Sequence, residues 1–149
     1  GASTGRDREA GFREGLAEGG AAPVAVIDGL YRREVAAEAA RTLFAPGGPR
    51  PDALFVGNDH MALAVLDTLR FELGLDVPGD VSVVGYDDVP MAAWPPYDLT
   101  TVRQPANRMV AATVEMLLAL IEGRAGPEKI MIPGPLMLRG SARRPEGWR

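Results

Sequence analysis

A chain of 149 residues with a formal net charge of −4 is long enough for one domain core and too acidic to grip a nucleic-acid backbone by itself. It has no cysteine, which excludes disulfides and thiolate chemistry, and no apolar run near the roughly 18 residues of a membrane span. The single histidine, His60, excludes a Ser-His-Asp triad and a His-rich metal site.

The chain opens on a loop that leads straight into a helix. An α/β domain ordinarily begins with the strand feeding such a loop, so a strand is expected upstream of Gly1. Residues 1–5 lack the basic and apolar regions of a signal peptide. Ser3 or Thr4 is placed to cap a helix running to about Glu18, with Gly19-Gly20 as its stop. Residues 23–27 read as a strand and Asp28-Gly29 as its turn. A helix follows from about Arg32 to Phe44, with Val35, Ala39, Thr42 and Leu43 near one face. The run 45–49 breaks it.

Leu54, Phe55 and Val56 form a short continuous apolar run, the mark of a buried strand. Asn58 stands where a helix N-cap belongs, ahead of Met61, Ala62, Val65, Leu66 and Leu69 at helical spacing. Gly74 ends that helix. A turn over 77–80 leads into a strand over 81–84. A long Pro-rich loop from Gly85 to Asp98 precedes an extended piece over 99–102. The helix from about Pro105 to Glu122 carries Val110, Val114, Leu117, Leu118 and Ile121 as one stripe. Met109, Met116 and Leu120 make that face wide enough to need cover on more than one side. Strands over 129–132 and 136–138 follow, and residues 143–149 read as a frayed tail. Strands alternating with helices predict an α/β fold with a mostly parallel sheet flanked by helices.

Ligands bind beyond the carboxyl ends of strands in an open parallel sheet. Two predicted strand ends present polar residues there, Asn58-Asp59 and Asp87-Asp88. Asn58 is either a plain helix cap or a ligand-bonding carboxamide, and Asp59 suits the helix dipole. Read alone, Arg8 is an arginine on a solvated helix turn. An enzyme would have to use Asp28, Asp59, Asp87 and Asp88 as a Mg²⁺ cluster. No Gly-rich phosphate loop accompanies them. The residues favour a binding protein with no catalytic residue, metal or cofactor.

Four stretches, in order and at matching spacings, carry a more specific signal: residues 6–12 (RDREAGF), 55–62 (FVGNDHMA), 77–88 (VPGDVSVVGYDD) and 99–105 (LTTVRQP). Here the sequence resembles the LacI/GalR family of bacterial transcription regulators, in the carboxyl-terminal part of their effector-binding region. The resemblance implies an incomplete lobe of the type I periplasmic-binding-protein-like fold. Residues 1–104 would be the carboxyl-terminal lobe without its first strand. Residues 105–134 would be a helix and strand of the amino-terminal lobe, and 135–149 a return strand and tail.

The resemblance also implies roles. Arg8, Asn58, Asp87 and Gln104 would bond an effector. Phe12, Leu30 and Tyr31 would wall its pocket, although Leu30 stands where relatives often place an aromatic ring. Asp88 would accept loop amides. Trp94, Pro95 and Met61 would lie at a homodimer interface. The effector would be a sugar or sugar derivative in preference to a purine. Operator DNA would be met through a headpiece absent from this chain, in the cytoplasm and without a membrane. The alternative is an exported sugar-binding protein of a transport system on the same two-lobed fold.

Overall fold

The structure, a computed structural model, describes residues 3–127 and 129–144. Helix α1 (Ser3–Glu18) stops where the glycine pair predicts. Gly20 adopts φ +71°, and the N–H groups of Gly20 and Ala21 donate back to the carbonyls of Ala17 and Leu16. This is the 5→2 and 6→1 bonding that satisfies a helix end. Helix α2 (Arg33–Phe44) buries Ala36, Ala40 and Phe44, and not the face centred on Val35, Ala39, Thr42 and Leu43. Alanines at i and i+4 let α2 approach its neighbour closely. Val35, Ala39 and Leu43 flank the contact half-buried, while Thr42 is exposed.

Strands β1 (Ala53–Phe55), β2 (Ser82–Asp87), β3 (Thr100–Arg103) and β4 (Leu136–Met137) form one sheet in that order. β1, β2 and β3 are parallel, and β4 returns antiparallel beside β3. The expected α/β class, with a mostly parallel sheet flanked by helices, is what the chain adopts. Helix α3 (Asp59–Asp67) runs into a wider five-residue turn, Thr68–Glu72, that closes before Gly74 at φ +65°. The core lies where α2 and α3 meet the sheet, around Leu63, Leu66, Leu69, Val81, Val83 and Leu99, all fully buried.

Three further expectations fail. Residues 23–27 form no strand: Val24 is 71% exposed and Val26 53%. Residues 129–132 form none either, with Met131 79% exposed. Both runs are β-prone, yet a strand exists only where another backbone completes its hydrogen bonds. Among the described residues β1 pairs with β2 alone, and nothing pairs with 23–27 or 129–132. Finally, Arg143 is not frayed. Its guanidinium donates to the carbonyls of Gly79 and Asp52, and its N–H to Ser82. Residues 145–149 lie outside the described residues.

Helix α4 (Ala106–Ile121) leaves Val110, Val114, Leu117, Leu118 and Ile121 each about half exposed or more. Exposed apolar residues gathered on one helix face in this way mark an interaction surface or an association liability. The 149-residue chain studied alone is therefore expected to bind a hydrophobic dye and to self-associate. Sedimentation with dye fluorescence checks this. A dye-silent monomer would contradict it.

Candidate functional site

The carboxyl ends of β1, β2 and β3 lie side by side, and α1 lays one side chain across them. Arg8 donates from Nη2 to Asp87 Oδ1 at 2.9 Å and from Nη1 to the Gly57 carbonyl at 2.5 Å. Its guanidinium carbon lies 4.0 Å from the centroid of the Tyr86 ring, close enough for cation–π attraction. Gln104 Nε2 donates to the same Asp87 oxygen at 2.5 Å. The Arg8 and Asp87 side chains are 12% and 22% exposed. Three residues separated by 79 and 17 positions in the chain thus converge on one partly open spot. The cluster is electrically neutral: two donors around one anionic acceptor.

Holding Asp87 there strains the backbone. Asp87 has φ +121° and Asp88 φ +57°, two consecutive side-chain-bearing residues in a region costing about 1–3 kcal/mol each. Such a turn persists only when its surroundings over-determine it. Asp88 is gripped by Arg103 Nε at 2.5 Å and by Arg139 Nη2 at 2.6 Å. Burial pushes the Asp88 carboxyl up, but the Arg139 and Arg103 guanidiniums bring it below the usual range. Its partners are therefore guanidiniums and not the loop amides expected. Gly85 in the preceding strand must stay small, since a Cβ there would overlap Asp59 Oδ1.

Asp59 is fully buried. Its carboxylate accepts from Thr101 Oγ1 at 2.6 Å and from the Val89 N–H at 2.9 Å. Desolvation pushes its pKa up.

Asn58 takes extended angles and its side-chain oxygen accepts from the Met61 N–H at 2.9 Å. That oxygen is occupied by capping, which leaves the amide N–H groups to bond anything else. Asn58→Ala is expected to cost about 1 kcal/mol of stability, measurable as a shift of the urea midpoint. No change would mean that Asn58 does not hold the start of α3.

Phe12 stacks on Phe55, centroids 5.0 Å apart and planes 15° from parallel, so its ring already has a partner. Tyr31 is 43% exposed and its hydroxyl lies against Gly5, one helical turn before Arg8. Leu30 is 59% exposed and its N–H donates to Asp28 in the predicted turn. Trp94 and Pro95 stand exposed beside Pro96, whose carbonyl accepts from Arg70. Phe71, 79% exposed, adjoins Arg70 and was not anticipated. Met61 corrects the expected interface. It is 7% exposed in the core, its side chain packed against Gly29, and it has no surface to offer a partner.

Asp28, Asp59, Asp87 and Asp88 do not gather as metal ligands. Each carboxylate serves its own turn, pin or ion pair, and among the described residues no three acidic or histidine side chains converge. Sequence reasoning also missed Tyr86 as the surface under Arg8. The strand alternation around Gly85 and Asp87 held that signal. It missed Arg139 as well, whose partner Asp88 lies 51 residues away with no local pattern linking them.

Comparison with known proteins agrees with this fold. A family model described as a periplasmic binding protein-like domain matches residues 1–142. The HTH-type transcriptional repressor PurR of Photobacterium profundum is 35% identical over 144 residues, covering 95% of this chain and 42% of that protein. The lactose operon repressor of Rhizobium radiobacter is 33% identical over 96 residues, 64% of this chain and 84% of that one. A crystal structure of the lac repressor dimer bound to operator and the anti-inducer ONPF superposes with a TM-score of 0.84 at 31% identity, covering 93% of this chain and 48% of that one. The chain thus spans about half, or less, of the length of the PurR relative and the lac repressor structure.

Proposed function

Since the chain belongs to the periplasmic binding protein-like domain family, and the relatives it matches are named as an HTH-type transcriptional repressor and a lactose operon repressor, we propose that it is the effector-sensing part of a DNA-binding transcriptional repressor. The observation that carries this reading is the Arg8–Asp87–Gln104 cluster at the strand ends. A hydroxyl both donates and accepts. Asp87 can accept a hydrogen bond from its O–H while Arg8 and Gln104 donate to its oxygen, and a neutral guest leaves the neutral cluster uncharged. A planar base would need an open aromatic face. Phe12 is stacked on Phe55 and Tyr86 lies under Arg8, so the half-exposed Tyr31 has no second open ring among them with which to sandwich a base, which favours a sugar or sugar derivative over a purine. Asn58 amide N–H groups, Tyr31 and Leu30 complete the wall.

In this reading residues 1–104 belong to one lobe, α4 and the segment after it to the other, and 135–144 return to the first. The exposed stripe of α4 then packs inside the second lobe. The effector sits between lobes and biases their closure. Operator DNA is met by a headpiece outside these residues, consistent with a net charge of −4. Trp94, Pro95 and Phe71 form the apolar patch of a homodimer contact, and the protein works in the cytoplasm. Coupling between effector and operator is a free energy of about 1–3 kcal/mol and is reciprocal. The HTH-type names of the relatives support this role over an exported transport protein.

The test is a thermal-shift panel on the complete gene product with D-glucose, D-galactose, maltose, gluconate and hypoxanthine. A binder of the native state raises the melting temperature with concentration. A neutral sugar should do so, and operator affinity should change with it. Stabilisation by hypoxanthine alone would overturn the sugar assignment.

A further inference from the structure

Asp59 stands next to Asn58 at the mouth of the site, yet no part of it reaches the surface. Both carboxylate oxygens are engaged inward. Oδ1 accepts from the Thr101 hydroxyl on β3, and Oδ2 accepts from the Val89 N–H. Val89 is the first residue after the left-handed pair Asp87-Asp88. Gly85, beside Thr101 in the sheet register, leaves the room that Oδ1 occupies. One buried acid therefore joins three pieces: the start of α3, the end of β2 with its turn, and β3. On the upstream side the strained pair is held by the β2 ladder. On the downstream side its backbone is held by Asp59. Placing a charge among apolar neighbours is costly unless its bonds are needed.

We propose that Asp59 is a positioning residue of the effector site: from beneath, its carboxylate pins the turn that follows β2 and so sets where Asp87 stands opposite Arg8. The inference rests on the reading of Arg8 and Asp87 as the effector site, but its central measurement needs no effector. The neighbouring Asn58 shares the same helix end, so the pin also keeps the two polar loops at a constant separation.

The experiment follows the Arg8 Nε–Hε signal by NMR in the complete gene product labelled with ¹⁵N-arginine. Its position reports the Asp87 ion pair and the Tyr86 ring current, and Asp87→Ala supplies the reference for a released Arg8. Asp59→Ala should move the signal to that reference position. Asp59→Asn should restore it, since the amide oxygen can still accept from Val89 while the Thr101 hydroxyl rotates to accept from the amide. Thr101→Val removes the other bond and leaves the turn pinned, so its Arg8 signal should stay in place. An unmoved signal in Asp59→Ala, or an equal displacement in Thr101→Val, overturns the proposal.

If Asp59→Ala does not fold, the unsubstituted protein is warmed. Exchange of the Val89 amide and release of Arg8 should then share one midpoint below global unfolding, and separate midpoints overturn the proposal. Arg8→Ala in the sugar panel distinguishes the two failures. A sugar affinity unchanged in Arg8→Ala and in Asp87→Ala removes the effector reading, whatever the NMR signal does.

Discussion

Arg8→Ala and Asp87→Ala are each expected to weaken effector binding by tenfold or more, a loss above about 1.4 kcal/mol, as measured by calorimetry on the complete gene product. The cost is the lost charge-assisted bond to the effector, about 1.5–3 kcal/mol, with the misplacement of the partner left behind. Arg8 and Asp87 hold each other at 2.9 Å with side chains only 12% and 22% exposed, so removing one frees the other to leave its position and also lowers stability. Asp87→Ala should be the harsher change, because Asp87 also receives the Gln104 amide. Unchanged affinity in both variants would remove this site from consideration.

Asp88→Asn is expected to destabilise the fold by about 3 kcal/mol at neutral pH, the order of cost for breaking a buried ion pair from one side. Asp88 is 6% exposed and holds Arg139 (14% exposed) and Arg103 on its two oxygens. Arg139 also donates to the Leu99 carbonyl, so the pair ties the return segment after β4 to the start of β3 and to the turn after β2. The pH dependence follows from the direction of the shift. The folded Asp88 carboxyl lies below its ordinary value. Its stabilisation is therefore fully present above about pH 3.9 and is lost as pH falls through the depressed folded value.

Asp59 acts in the opposite direction. Its raised folded pKa means that its charge costs stability above that value, and acid relieves the cost. Urea unfolding at pH 7 and near pH 3 checks the Asp88 term: the gap between the native protein and Asp88→Asn should narrow on acidification. A gap independent of pH would show that the Asp88 charge is not what holds the return segment.

The two polar strand ends are legible in the residues themselves. A short apolar run that ends in glycine and then presents Asn58 or Asp87 can be recognised one residue at a time, because a cap or turn acts within four residues. The helix end at Gly20 was legible for the same reason. The division of labour among the carboxylates was not. Asp59 and Asp88 look like Asn58 and Asp87 in the sequence. They differ in whether Thr101, Arg103 and Arg139 lie against them, at separations of 42, 15 and 51 residues.

The failures share a cause. Residues 23–27 and 129–132 have the composition of strands and extended backbones without a ladder, since strand formation belongs to a pair and composition belongs to one member. Met61 fits the pattern too: helical periodicity placed it on α3, but which side of α3 met the core depended on how α2 and the sheet arrived. Ser141, fully buried between Val83 and Thr100, carried no local mark at all.

Properties set by neighbours along the chain could be read from the residues alone: caps, breakers, the α/β alternation, and an acidic surface without thiols. Properties set by neighbours in space needed the folded chain. The meeting of Arg8 with Asp87 across 79 residues, the strained turn and the acids that hold it belong to that second group. A hydrogen bond or ion pair contributes only when both partners are brought within about 3 Å, and no spacing in a sequence encodes that distance once the loop between them is long.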